Sequence, residues 1–212
     1  FHNLPGNGTV GGSTKLAGTN PAGPPGCCEF FGPITNGTNV YASTAGMNNI
    51  LAFNGARTAI TNLALGSAPL SLPTIGIDGR LYTGDAANEL VAFTPATQAR
   101  ATVLSGLAGG LHVPLQGSDG HIYLPRDQGF LFALENGQTS WSFDPQGNIF
   151  RGGILDCSGR LFVASDGTVY AFVTDDHGLA DTAWPSIRRD SRNTGNASAI
   201  KYGIRTAAGC TQ

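Results

Sequence analysis

The chain has 212 residues, of which 41% are hydrophobic and 12% charged, with 31 glycines, 12 prolines and a formal net charge of -2. This length and apolar content exclude disorder as the default state, and the near-neutral charge gives no electrostatic reason to expect nucleic acid or an anionic membrane as partner. No run of 18 or more apolar residues marks a membrane span, and the glycine and proline content suits short strands joined by tight turns.

Residues 1–35 open with FHNLPGNGTVGGSTKLAGTNPAGPPG, whose turn formers leave little room for a regular element, and are expected to form an extended arm carrying Cys27 and Cys28. The start at Phe1 is compatible with removal of a signal peptide. GNGTVGGSTK fails as a phosphate loop because Gly12 stands where a lysine should follow Gly11, and no apolar strand precedes it. Asn7, Asn36 and Asn196 head N-x-[ST] triplets, which are glycan acceptors only in a glycosylating host. With Cys157 and Cys210 the adjacent pair makes four cysteines, enough for two disulfides in three connectivities, and no C-x-x-C spacing points to zinc.

From residue 36 to 184 one pattern recurs four times: a glycine-bearing turn, a short strand ending on an aromatic, a polar gap, and a second strand ending in Ala-aromatic or Ala-Leu. The anchoring rings are Tyr41, Tyr82, Tyr123 and Phe162, spaced by 41, 41 and 39 residues. A period of about 40 residues built from four short strands is that of a β-propeller blade, which buries its faces only against its neighbours. The expected fold is therefore all-β, a propeller of four-stranded antiparallel blades. Asn36-Gly37, Asp78-Gly79, Asp119-Gly120 and Ser158-Gly159 stand at equivalent places and are expected to form two-residue hairpin turns, so these aspartates serve the turn and not a metal. Leu131-Phe132-Ala133-Leu134 is apolar on both faces, as in a strand between stacked blades.

Residues 185–212 break the repeat and are expected to form a closing segment and tail. The string W-P-x-x-R-x-D-x-x-x-T-G, present as Trp184, Pro185, Arg188, Asp190, Thr194 and Gly195, resembles the segment that flanks propellers of PQQ-like, or quinoprotein-type, repeats, and the blades resemble that family's repeat. The resemblance covers about residues 36–196. It implies a propeller of secreted or periplasmic bacterial proteins, some of them enzymes and many of them scaffolds. Rings of that family usually have seven or eight blades. Four copies here, with at most one more from the two ends, imply either a small ring of about five blades or part of a larger ring, whose open edges would need a partner or self-association.

The resemblance makes a quinone-dependent dehydrogenase, with PQQ and calcium, the enzymatic alternative. Cys27-Cys28-Glu29 is the one feature that looks like its vicinal disulfide; the competing reading has these cysteines pinning the arm to distant strands through Cys157 and Cys210. Asp175, Asp176 and Asp181 fit no EF-hand and read as a solvated loop. His2, His112, His121 and His177 are scattered and no G-x-S-x-G elbow occurs. Arg188, Arg189, Arg192, Lys201 and Arg205 form a late basic run, expected to pair with turn carbonyls and with Asp175, Asp176 or Asp181. Trp141 and Trp184 are expected to pack between blades. No catalytic, cofactor-binding or metal-ligating residue is assigned. The expectation is a non-catalytic, extracytoplasmic propeller acting as a binding or scaffold module for protein or glycan. The alternatives are the dehydrogenase fragment and a structural subunit of a larger assembly.

Overall fold

A computed structural model describes residues 30–44, 48–54, 60–107, 109–127, 131–146, 149–192, 195 and 202–210. The first blade comprises β1 (Phe30–Thr35), β2 (Asn39–Thr44), β3 (Asn49–Asn54) and β4 (Ile60–Ala64). The second comprises β5 (Thr74–Ile75), β6 (Leu81–Gly84), β7 (Leu90–Thr94) and β8 (Ala99–Leu104), and the third β9 (Leu115–Gln116), β10 (Ile122–Pro125), β11 (Leu131–Glu135) and β12 (Gln138–Phe143). β13 (Ile149–Leu155), β14 (Arg160–Ser165) and β15 (Thr168–Val173) form a three-stranded fourth blade, and β16 (Arg205–Thr206) pairs with β17 (Gly209–Cys210). Within each blade the strands hydrogen-bond in chain order and run antiparallel. β1 lies inside the segment expected to be an arm: it is the first strand of blade one, paired Ile34 to Tyr41 and Thr35 to Val40.

The turn glycines adopt the left-handed conformation, with φ of +91° at Gly37, +76° at Gly79, +94° at Gly120 and +77° at Gly159. In the last three the turn is one residue longer than a two-residue hairpin. Gly79 N–H bonds back to Gly76 C=O and Gly76 N–H to Arg80 C=O, and the same pair of bonds recurs at Gly117/Gly120/His121 and Asp156/Gly159/Arg160. This is a type I turn closed by a left-handed glycine, which accommodates strand twist as well as the shorter turn does. The two-residue form occurs elsewhere, at Asn136-Gly137 and Asp166-Gly167, where both central residues have positive φ.

Strand alternation gives each blade a leading and a trailing face, and the core is made where one blade's trailing face meets the next blade's leading face. Tyr41 and Ile50 pack against Leu81, Val91 and Phe93; Tyr82, Leu90 and Ala92 against Ile122, Leu124 and Leu134; Tyr123, Leu131 and Ala133 against Leu155, Leu161 and Val163. Trp184 joins the first of these clusters, and Trp141 lies against the third, stacked on Phe172 at 5.6 Å. The trailing face of blade four has no described blade over it. Ile154 is 44% exposed, Val169 69% and Val173 88%, with Phe162 and Ala171 paired between them. Among the described residues no helix is long and apolar enough to cross a membrane.

Candidate functional site

Two parts of the molecule compete as a functional site: the inner edges of the blades, which face the axis of a propeller, and the clefts between blades on the face that carries the turns. The inner edges of blades two and three are taken by the chain itself. After blade four, residues 178–185 cross the edge of β9 that β10 leaves free, with Ser118 N–H donating to Gly178 C=O (3.0 Å), Ala180 N–H to Gln116 C=O (2.9 Å) and Gln116 N–H to Pro185 C=O (2.8 Å). They continue to β5, where Ile75 N–H donates to Trp184 C=O (2.8 Å) and Thr182 Oγ1 to Ile75 C=O (2.7 Å). Buried backbone amides require such partners, so this strap satisfies edges that water or a ligand would otherwise have to serve.

The strap is held in turn. Leu179 exchanges backbone hydrogen bonds with Gly203 and Arg205, and Leu179 and Ile204 both pack against blades three and four. Cys157, in the first turn of blade four, forms a disulfide with Cys210 at the end of β17. These two cysteines are therefore not the anchors for Cys27 and Cys28, which lie with the rest of residues 1–29 outside the described residues.

The Trp184-to-Gly195 segment belongs to the same structure. Trp184 fills the space between blades one and two, and Arg188 and Arg189 both have positive φ where the chain turns, with Gly195 N–H donating to Arg188 C=O (2.8 Å). Asp190 is buried and accepts Arg192 N–H (3.1 Å), and Arg192 lies over the Tyr202 ring at 3.9 Å. Thr194 and Lys201 lie outside the described residues. The structure brings together Trp184, Pro185 and the disulfide through the strap, and assigns them to holding it.

On the turn-bearing face the gaps between blades are repeated clefts. Between blades one and two lies a cavity of about 440 Å³, bordered by Asn36, Asn39 and Asp78. Between blades two and three it is about 580 Å³, bordered by Asp78, Arg80, Gln116, Asp119, Asn136 and Gln138 over a floor that includes Ile122 and Leu134. The residue after each Asp-Gly or Ser-Gly lies two positions before the anchoring ring, hence on the same face, and covers it: Arg80 over Tyr82 (5.3 Å), His121 beside Tyr123 (6.2 Å) and Arg160 over Phe162 (5.7 Å).

The tyrosine hydroxyls find polar partners in three different ways. Tyr41 accepts from Asn36 Nδ2 (3.3 Å) and Tyr82 donates to Asp78 Oδ2 (2.8 Å), both local. Tyr123 donates to Oδ2 of Asp176 (2.6 Å), a fully buried carboxylate that also accepts Asp119 N–H (2.5 Å) and stands 3.0 Å from His121 Nδ1. Asp176 is thus a structural acceptor in the gap between blades three and four, not part of a solvated loop. Burial, followed by the adjacent carboxylate, pushes the hydroxyls of Tyr82 and Tyr123 well above the ordinary phenol range. Burial acts to raise the Asp78 carboxyl, but hydrogen bonds from Arg80 and Tyr82 outweigh it and hold the group below the usual carboxylate range.

No family model matches the chain, and no curated protein matches it. Solved structures do. Virginiamycin B lyase from Staphylococcus aureus superposes with a TM-score of 0.56 at 14% identity, over 84% of this chain and 64% of that one. BamB from Moraxella catarrhalis superposes with a TM-score of 0.53 at 18% identity, over 66% of this chain and 41% of that one. For the C-terminal WD40 domain of Sif2 the values are 0.50 and 14%, over 69% and 42%. The chain spans less than two thirds of each. These neighbours are β-propellers, and at such identities the likeness establishes the fold alone: this chain is a β-propeller whose described blades do not close into a ring.

Proposed function

We propose that this chain is a non-catalytic propeller module of an extracytoplasmic protein, which binds a partner through the clefts of its turn-bearing face. The observation that carries the reading is the strap: residues 178–185 use the inner edges of β5 and β9 for the chain's own backbone hydrogen bonds and leave the inter-blade clefts as the open concave surfaces. The same observation counts against the dehydrogenase alternative, which would place PQQ and calcium at the axis. Among the described residues no three His, Cys, Asp or Glu side chains are grouped as a metal ion would need. The fold neighbours carry names as different as a lyase and a WD40 domain, so fold does not choose between enzyme and binder. The Cys157–Cys210 disulfide supports an oxidising compartment.

The test is quinone uptake. After incubation with PQQ and calcium and removal of free ligand, the purified chain should retain no quinone absorbance and reduce no redox dye with alcohols; a retained band with calcium-dependent dye reduction would overturn the reading. A second reading, a subunit of a larger assembly, is favoured by the exposed apolar face of blade four.

A further inference from the structure

The three inter-blade gaps on the turn-bearing face have equivalent walls, and one of them is already occupied. Between blades three and four the chain inserts its own acidic turn, residues 175–178. The Asp176 carboxylate takes the Tyr123 hydroxyl and the Asp119 N–H, beside His121, while His177 N–H donates to Ser118 Oγ (3.2 Å) and Gly178 C=O accepts from Ser118 N–H (3.0 Å). Gly117 is what admits it, since a Cβ there would stand 2.2 Å from Asp176 Oδ2. What such a gap holds in this molecule is therefore a turn of peptide with a carboxylate side chain directed inward.

Between blades two and three the same positions line the open 580 Å³ cleft. Tyr82 stands where Tyr123 stands, and Arg80, a stronger partner for a carboxylate, replaces His121. The carboxylate on Tyr82 and Arg80 is that of Asp78, folded back from the turn and about a third exposed. Asp119, at the matching turn position of blade three, makes no such closure: its carboxylate meets Ser118 Oγ (3.2 Å), and Tyr123 takes the distant Asp176 instead.

We propose that the cleft between blades two and three is a binding site for a peptide segment of a partner protein, whose Asp or Glu side chain is received by Tyr82 and Arg80, with Asp78 as a built-in placeholder. The proposal rests on the binding-module reading and adds the ligand class. Asp78 competes for the same two donors and repels a second carboxylate, so the site is weak while Asp78 is present and strengthens when it is removed.

The chain supplies its own probe: a fluorescent peptide of residues 174–180, Thr-Asp-Asp-His-Gly-Leu-Ala, titrated into the full chain and followed by anisotropy. Asp78→Ser is the informative variant, because Ser158 occupies the matching turn position in blade four, where the turn closes with the same pair of backbone hydrogen bonds. We expect saturable binding that tightens about tenfold in Asp78→Ser and is lost when Tyr82→Phe is added. Arg80→Gln, at an exposed side chain, should weaken it without bearing on the fold. Absence of saturable binding to Asp78→Ser at millimolar peptide would overturn the proposal. So would binding that survives both Tyr82→Phe and Arg80→Gln, or that is lost only with Tyr123→Phe, which would mean displacement of the chain's own turn. None of these failures touches the non-catalytic reading, which stands or falls on quinone uptake.

Discussion

Each anchoring aromatic has two jobs, and they separate at the atom level. At Tyr41, Tyr82 and Tyr123 the ring is buried between blades, and the hydroxyl must be matched by a polar group. At Tyr123 that group is a fully buried carboxylate. Tyr123→Phe should therefore cost about 1–3 kcal/mol, read as a lower urea midpoint, because Asp176 is left short of a donor in a dry site. Tyr82→Phe should cost less, since Asp78 is a third exposed and keeps Arg80. The depressed Asp78 and Asp156 carboxyls fix the sign of the acid response: their contribution is present above the unfolded value, near pH 4, and is lost as pH falls through the lower folded values. Denaturation at pH 7 and pH 3 should show that loss, and Asp78→Asn should reduce it.

At the scale of elements, the strap and its disulfide make a prediction that blade counting does not. The Cys157–Cys210 bridge closes a span of 53 residues, and the chain-entropy relation puts its contribution at about 4 kcal/mol. Reduction, or Cys210→Ser, should lower the denaturation midpoint accordingly, and hydrogen exchange should quicken first at the amides of Gln116, Ser118 and Ala180, which bond to or lie in the strap. Trp184→Ala should cost about 3–5 kcal/mol because its indole fills the first inter-blade core. The blades were legible in the sequence because their cores depend on side chains that recur at fixed spacing: Tyr41, Tyr82, Tyr123 and Phe162 announce them. The strap was not legible. Its bonds to β5 and β9 are nearly all backbone to backbone, and such bonds leave no trace in residue type. The Asp176–Tyr123 contact was hidden for a related reason: it spans 53 residues and occurs once, so no repeat exposes it. The longer form of the Asp-Gly turns was missed because both turn types place glycine at positive φ, and only the partner of Gly76, Gly117 or Asp156 tells them apart.

For the whole molecule, four described blades leave one end apolar and exposed. Val169 and Val173 project from a strand with no charge, proline or glycine to discourage pairing. Sedimentation over a range of concentrations should show self-association of the wild-type chain, and Val169→Lys with Val173→Lys should abolish it while changing stability by less than about 0.5 kcal/mol, as expected at exposed positions. The strap also sets an order of events during synthesis. The segment that closes the inner edges is made after the blades it closes, and it bonds to residues 60 or more positions earlier, so blades two and three leave the ribosome with those edges bare. Such long-range closure slows folding and exposes the nascent sheets to wrong pairing. A chain cut short before residue 178 would thus lose the closure of its interior, although the cut falls beyond the last strand of the fourth blade.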